Sequence, residues 1–158
     1  MKKGFTLAEL MAVVVIIAII ASIGLGGYKR TVERAKLTEG LNMAHQIAQA
    51  LARADWDRYN SCGTFDTPWN QLDIDSSGKK TMGKNSLDLE GRFTITLETT
   101  LAGTHIKAER KNGEGYTLEV PIDCGFSLAK LKDRCKGNTD FCISAGFSDC
   151  TEGTCTKP

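Results

Sequence analysis

With 158 residues, 20 basic and 19 acidic side chains and a formal net charge of +1, the chain gives no reason in bulk charge to expect a nucleic-acid footprint. Its length allows one small globular domain once the apolar stretch at its start is set aside. It contains no phosphate-binding glycine loop, no G-x-S-x-G and no H-E-x-x-H, so it offers no catalytic set and asks for no cofactor.

The first 28 residues, MKKGFTLAELMAVVVIIAIIASIGLGGY, organise the chain. Lys2 and Lys3 lead, Glu9 follows, and no further charge occurs until Lys29. Leu10 to Ile20 is almost wholly Leu, Met, Ala, Val and Ile. Continued to Tyr28, the run is close to the roughly 20 residues that span a bilayer as a helix. The leading lysines favour a cytoplasmic N-terminus. An ordinary membrane anchor and a cleaved secretory signal both fit this much. Small residues at Ser22-Ile23-Gly24 and Gly24-Leu25-Gly26 supply a cut site for the second. Glu9 argues against both. A carboxylate in an apolar helix costs roughly 2.5–3.5 kcal/mol at the bilayer centre, and an isolated buried charge normally needs a partner. No positive side chain lies between Lys3 and Lys29, so that partner is expected from outside the segment.

The register of Gly4-Phe5-Thr6-Leu7-Ala8-Glu9-Leu10 with the apolar run resembles the class III signal of type IV pilins and of the related type II secretion pseudopilins. The short Met1-Lys2-Lys3-Gly4 leader is similar to the type IVa form, and the resemblance covers about the first 30 residues. It implies that a prepilin peptidase cuts between Gly4 and Phe5 and N-methylates Phe5. Glu9 then becomes an assembly residue, meeting the Phe5 amine of a neighbouring subunit in a helical homo-oligomeric filament. An α-amino group titrates near 7.7–8.0 and is substantially protonated at neutral pH. The resemblance also implies partners in the inner-membrane pilus assembly machinery. The precursor and subunit pool would sit in that membrane, and the filament would be an extracellular pilus or a periplasmic pseudopilus. Residues 1–4 would be leader, 5–28 the membrane and filament-core helix, and 29–158 the exported globular domain. Gly24, Gly26 and Gly27 make a helix weak point, since each glycine costs a helix about 1 kcal/mol relative to Ala. They fit either local unwinding or close helix packing.

From Lys29 the pattern becomes amphipathic. Leu37, Leu41, Ala44, Ile47, Ala48 and Leu51 recur at helical spacing. One helix is expected from about Phe5 to Arg53 or a little beyond, with Gly40 a mild interruption and His45 just off the stripe. Residues 56–89 read as irregular, with Trp56, Tyr59, Phe65 and Trp69 pinning the loop to the domain. Asp55, Asp57, Asp73 and Asp75 read as solvated. Asp73-Ile74-Asp75-Ser76-Ser77-Gly78 imitates the start of a calcium loop, but Lys84 stands where the bidentate glutamate is needed, so no metal is assigned and calcium at Asp73 and Asp75 stays an alternative.

Period-two alternation places strands at Phe93–Leu97, Ile106–Ala108 and Tyr116–Val120, with a hairpin signal at Asn112-Gly113. This three-stranded antiparallel meander should pack on the helix stripe, giving an α+β fold with a disulfide-rich C-terminal region. His105 is expected on the solvent face. Ser127 could cap a short helix ending at Lys132. All six cysteines, Cys62, Cys124, Cys135, Cys142, Cys150 and Cys155, lie beyond the apolar segment, which points to disulfides in an oxidising compartment. Cys142 with Cys150 is one conceivable pairing, and Cys62 with the C-terminal cluster another.

The functional expectation is a structural filament subunit serving adhesion, motility or DNA uptake, and not an enzyme. The alternatives are a type II secretion pseudopilin and, from another class, a secreted disulfide-rich binding module released by an ordinary signal peptidase. Basic clusters at Lys79-Lys80 and Lys107–Lys111 leave DNA capture open.

Overall fold

The computed structural model describes residues 4–74, 80–82, 85–100, 103–113, 115–124 and 132–158, with backbone alone at 25–26 and 80–82. Helix α1 spans Leu7–Tyr59, six residues beyond Arg53, and runs unbroken through the three glycines. The chain divides into two compact units, Met1–Lys36 and Leu37–Pro158. The first is the apolar half of α1 and the turns that follow it. Its side chains from Leu7 to Gly24 are all exposed.

The second unit is built on the other half of the helix. All six stripe residues, Leu37, Leu41, Ala44, Ile47, Ala48 and Leu51, are buried in one core with Leu87, Phe93, Ile95, Ile106, Leu118 and Val120. At Gly40 helix and sheet come close. A Cβ there would lie 2.9 Å from the Phe93 ring. That ring is fully buried, meets Tyr116 edge-on at 6.1 Å and carries the Arg110 guanidinium 5.4 Å over its face. Tyr116 in turn stacks on Phe141 at 4.9 Å. The glycine that reads as a mild interruption in sequence is the seat of an aromatic column.

The sheet is larger than the meander read from the sequence. Among the described residues it has eight strands: β1 Lys80–Met82, β2 Ser86–Leu89, β3 Phe93–Thr100, β4 Gly103–Arg110, β5 Thr117–Pro121, β6 Arg134–Lys136, β7 Ser148–Thr151 and β8 Thr154–Thr156. They pair antiparallel in the order β1-β2-β3-β4-β5-β6-β8-β7. The three expected strands are its centre. β1 and β2 lie in the stretch expected to be irregular, and β6 to β8 in the tail. These outer strands have three or four residues each, too few for a period-two pattern to stand out. Short edge strands also limit edge-to-edge pairing with other chains.

A short helix α2, Thr139–Ser144, begins at Asn138, whose side chain accepts from the Phe141 N–H. The helix expected from Ser127 to Lys132 lies, up to residue 131, outside the described residues. The disulfides are Cys62–Cys124, Cys135–Cys142 and Cys150–Cys155. The Cys142–Cys150 pairing is therefore wrong. Cys142 is drawn from α2 onto β6, and Cys150 crosses the tight β7–β8 hairpin to Cys155. Cys62 joins Cys124, tying the segment after α1 to the end of β5.

Asp55 also departs from expectation. It is 1% exposed. Its Oδ2 accepts the N–H groups of Gly63 at 2.8 Å and Thr64 at 2.7 Å, and its Oδ1 that of Phe65 at 2.9 Å. It closes the loop that leaves the helix, because these turn amides have no helical partner. Phe65 and Trp69 are buried as pins, whereas Trp56 and Tyr59 are 43% and 42% exposed.

Candidate functional site

The candidate site is the head of α1. Thr6 precedes the helix and Glu9 lies in its first turn. Glu9 Oε2 accepts from the Thr6 N–H at 2.8 Å and from the Thr6 hydroxyl at 2.9 Å, while the Glu9 N–H reaches Thr6 Oγ1 at 3.3 Å. This reciprocal arrangement is a capping box, in which two helix-terminal donors are satisfied together. Its T-x-x-E spacing was visible in the sequence, but the charge of Glu9 drew attention to distant partners instead. Within one chain Glu9 already has a partner, namely Thr6. Its second oxygen, Oε1, accepts no hydrogen bond among the described residues.

Beyond the cap, Leu7–Gly24 forms 18 residues of mean hydropathy 2.6 with none of them buried. At 1.5 Å per residue this is about 27 Å of helix, near the hydrocarbon thickness of a bilayer. The exposed Ile, Val, Leu and Met side chains have no cover among the described residues, so the segment calls for a bilayer or other chains to leave water.

Around the glycines, the Ser22 hydroxyl donates to the Ile19 carbonyl at 2.7 Å and the Thr31 hydroxyl to the Gly27 carbonyl at 3.1 Å. Such back-bonds compete slightly with the helix ladder. A Cβ on Gly24 or Gly27 would meet nothing within 4 Å, so packing inside this chain does not require either glycine. Gly4 and Phe5 lie just ahead of the helix, with Phe5 90% exposed. Asp73 is exposed, and Asp75, like Lys79, is outside the described residues. Among the described residues no group of three His, Cys, Asp or Glu side chains could hold a metal.

Residues 1–25 match the family model described as the prokaryotic N-terminal methylation motif. That motif, at the start of an unburied apolar helix that precedes a disulfide-bonded α+β domain in the chain, defines the class: a protein with a methylation-motif apolar N-terminal helix and one small α+β domain. The relatives name the family within it. The chain is 30% identical over 132 residues to a type IV major fimbrial protein FimA of Dichelobacter nodosus, covering 83% of this chain and 79% of that one. To another FimA of that organism it is 30% identical over 116 residues, covering 72% and 64%. To fimbrial protein EcpC of Eikenella corrodens it is 48% identical over 104 residues, covering 63% and 65%. The last two matches span a little under two thirds of those relatives' lengths. No solved structure matches. The chain belongs to the type IV pilin family.

Proposed function

We propose that the chain is a structural subunit of a type IV pilus, made as an inner-membrane precursor, cut between Gly4 and Phe5, N-methylated at Phe5 and polymerised through its N-terminal helix. The observation that carries the reading is the 18-residue apolar stem with none of its residues buried. A bilayer covers it before assembly and the helices of neighbouring subunits cover it afterwards. Glu9 serves both states. Oε2 caps its own helix, and Oε1 accepts the Phe5 amine of the adjoining subunit. A charge pair in an apolar bundle gains strongly from being made and costs strongly when broken, so one carboxylate per subunit sets the axial register. The glycines at 24, 26 and 27 let the stem loosen during transfer from lipid to filament. The fimbrial names of the relatives favour an extracellular pilus over a secretion pseudopilus.

The test is the mass and N-terminal sequence of the mature protein from its native host. A start at N-methyl-Phe5 is expected. A start between Gly24 and Tyr28 would remove Glu9 with the stem and replace this reading by that of a secreted disulfide-rich module.

A further inference from the structure

The face of the sheet turned away from the α1 stripe carries an alternating charge ladder. Lys107 Nζ lies 2.8 Å from Glu98 Oε1, and Lys136 pairs with Glu119. In register, Glu98 faces His105, Lys107 faces Glu119 and Glu119 faces Arg134. Both carboxylates of this ladder thus have a lysine. At its β4–β5 end a pocket of about 130 Å³ opens, lined by Thr104, His105, Glu119, Lys132 and Arg134 among others. Lys132 and Arg134 are exposed, and neither side chain has an ion pair or hydrogen bond among the described residues. His105 lies on this outward face, as the alternation implied, but it is largely covered there. Its side chain is 14% exposed, and its buried Nε2 has no hydrogen-bond partner, with Glu98 no nearer than 3.7 Å.

Two cations without a hydrogen bond or ion pair among the described residues, Lys132 and Arg134, therefore line one pocket with an imidazole nitrogen that makes no hydrogen bond and whose nearest carboxylate, Glu98, is 3.7 Å away, while the acidic wall residue Glu119 is paired with Lys136. Guanidinium, ammonium and imidazole together are the donor set of an oxyanion site, the guanidinium fork matching two oxygens of one group. The pocket volume suits a single tetrahedral group and not a sugar ring. Asp133, between the two cations, is held by His45 Nε2 at 3.0 Å, which fixes the segment that presents them.

We propose that Lys132, Arg134 and His105 form a binding site for a tetrahedral oxyanion, either the free ion or a terminal phosphate or sulfate of a larger molecule. The test uses the full chain in neutral detergent micelles, titrated with inorganic phosphate and followed by the ring resonances of His105, one of only two histidines in the chain. The resonances are expected to move along a saturating curve, and Arg134→Gln to weaken the apparent affinity roughly tenfold, as loss of a charge-assisted bidentate contact does. Lys132→Gln, outside any strand, provides a second variant should Arg134→Gln fail to fold. Saturation by glycerol phosphate as well assigns a terminal group as the ligand. Saturation by phosphate alone assigns the free ion. An equal response to chloride at matched ionic strength, or undiminished affinity in the folded variants, overturns the proposal.

Discussion

The two halves of α1 obey opposite rules. From Leu7 to Gly24 the helix is apolar all round and buries nothing. From Leu37 to Leu51 one stripe is apolar, and that stripe is wholly buried. A helix apolar on every side needs surroundings that supply apolar contact from every side, whereas a striped one needs a single partner surface. The sheet supplies that surface within the chain. Nothing among the described residues supplies the other. One continuous element therefore has one stretch buried in the core of its own domain and another left exposed. Variants should separate the two: changes in the stem should alter assembly and leave the domain's melting unchanged, and changes in the domain should do the reverse.

The largest effect is expected at Glu9. Glu9→Gln keeps the acceptor that a capping box needs but removes the charge, whereas Glu9→Ala removes both. Filaments counted by electron microscopy should be lost in both variants if Oε1 pairs with a neighbouring amine. Filaments that persist in Glu9→Gln would reduce Glu9 to a helix cap and break the contrast between the halves.

Within the domain, Asp55→Ala leaves three loop amides without their acceptor, of which that of Phe65 is buried. An unsatisfied buried donor costs about 1–3 kcal/mol, so a loss of about that size is expected in denaturant unfolding. Peptidase processing, read by mass spectrometry, should be unchanged. Gly40→Ala tests the aromatic column. The substitution gains about 1 kcal/mol of helix propensity but drives a methyl into a ring that Tyr116 and Arg110 prevent from retreating, and overpacking costs about 1–3 kcal/mol. The expected net result is a lower melting temperature. A higher one would mean that the column yields.

The smallest effect concerns pH. The hydrogen bond that Lys107 donates to Glu98 holds that carboxyl below its ordinary value of 4.5, and the same bond raises the Lys107 ammonium above its ordinary 10.5. The depressed carboxyl contributes stability above about pH 4.5, lost as pH falls through its folded value. The raised ammonium contributes below about pH 10.5, lost as pH rises through its folded value. Glu98→Gln should therefore flatten the acid limb of the melting temperature against pH slightly, since the pair is partly exposed and screened by solvent. An unchanged limb would show that the ladder adds nothing to stability.

Much of this was legible because it repeats. The stem, the six-residue stripe and the three central strands each extend a pattern over several turns or pleats. What stayed hidden depends on contacts distant in sequence or on single positions. Asp55 looked like a solvated helix-end carboxylate because nothing local says that residues 63–65 turn back onto it. Gly40 looked like a mild defect because the Phe93 ring that needs the space lies 53 positions later. Among 15 possible disulfide pairings, spacing alone had no means of choosing. The Thr6–Glu9 cap was different: its spacing was plain, and a more conspicuous property of the same residue masked it.

The Cys62–Cys124 bond has a mechanical consequence. A chain pulled by its two ends transmits the load through this bond, which bypasses the intervening chain, a separation of 62 residues holding β1 to β5. Those strands cannot pay out as slack while the bond is closed. At the reach of an extended chain, the locked length is roughly 200 Å. Reduction would release it, turning a short, stiff link into a long, compliant one without cutting the backbone.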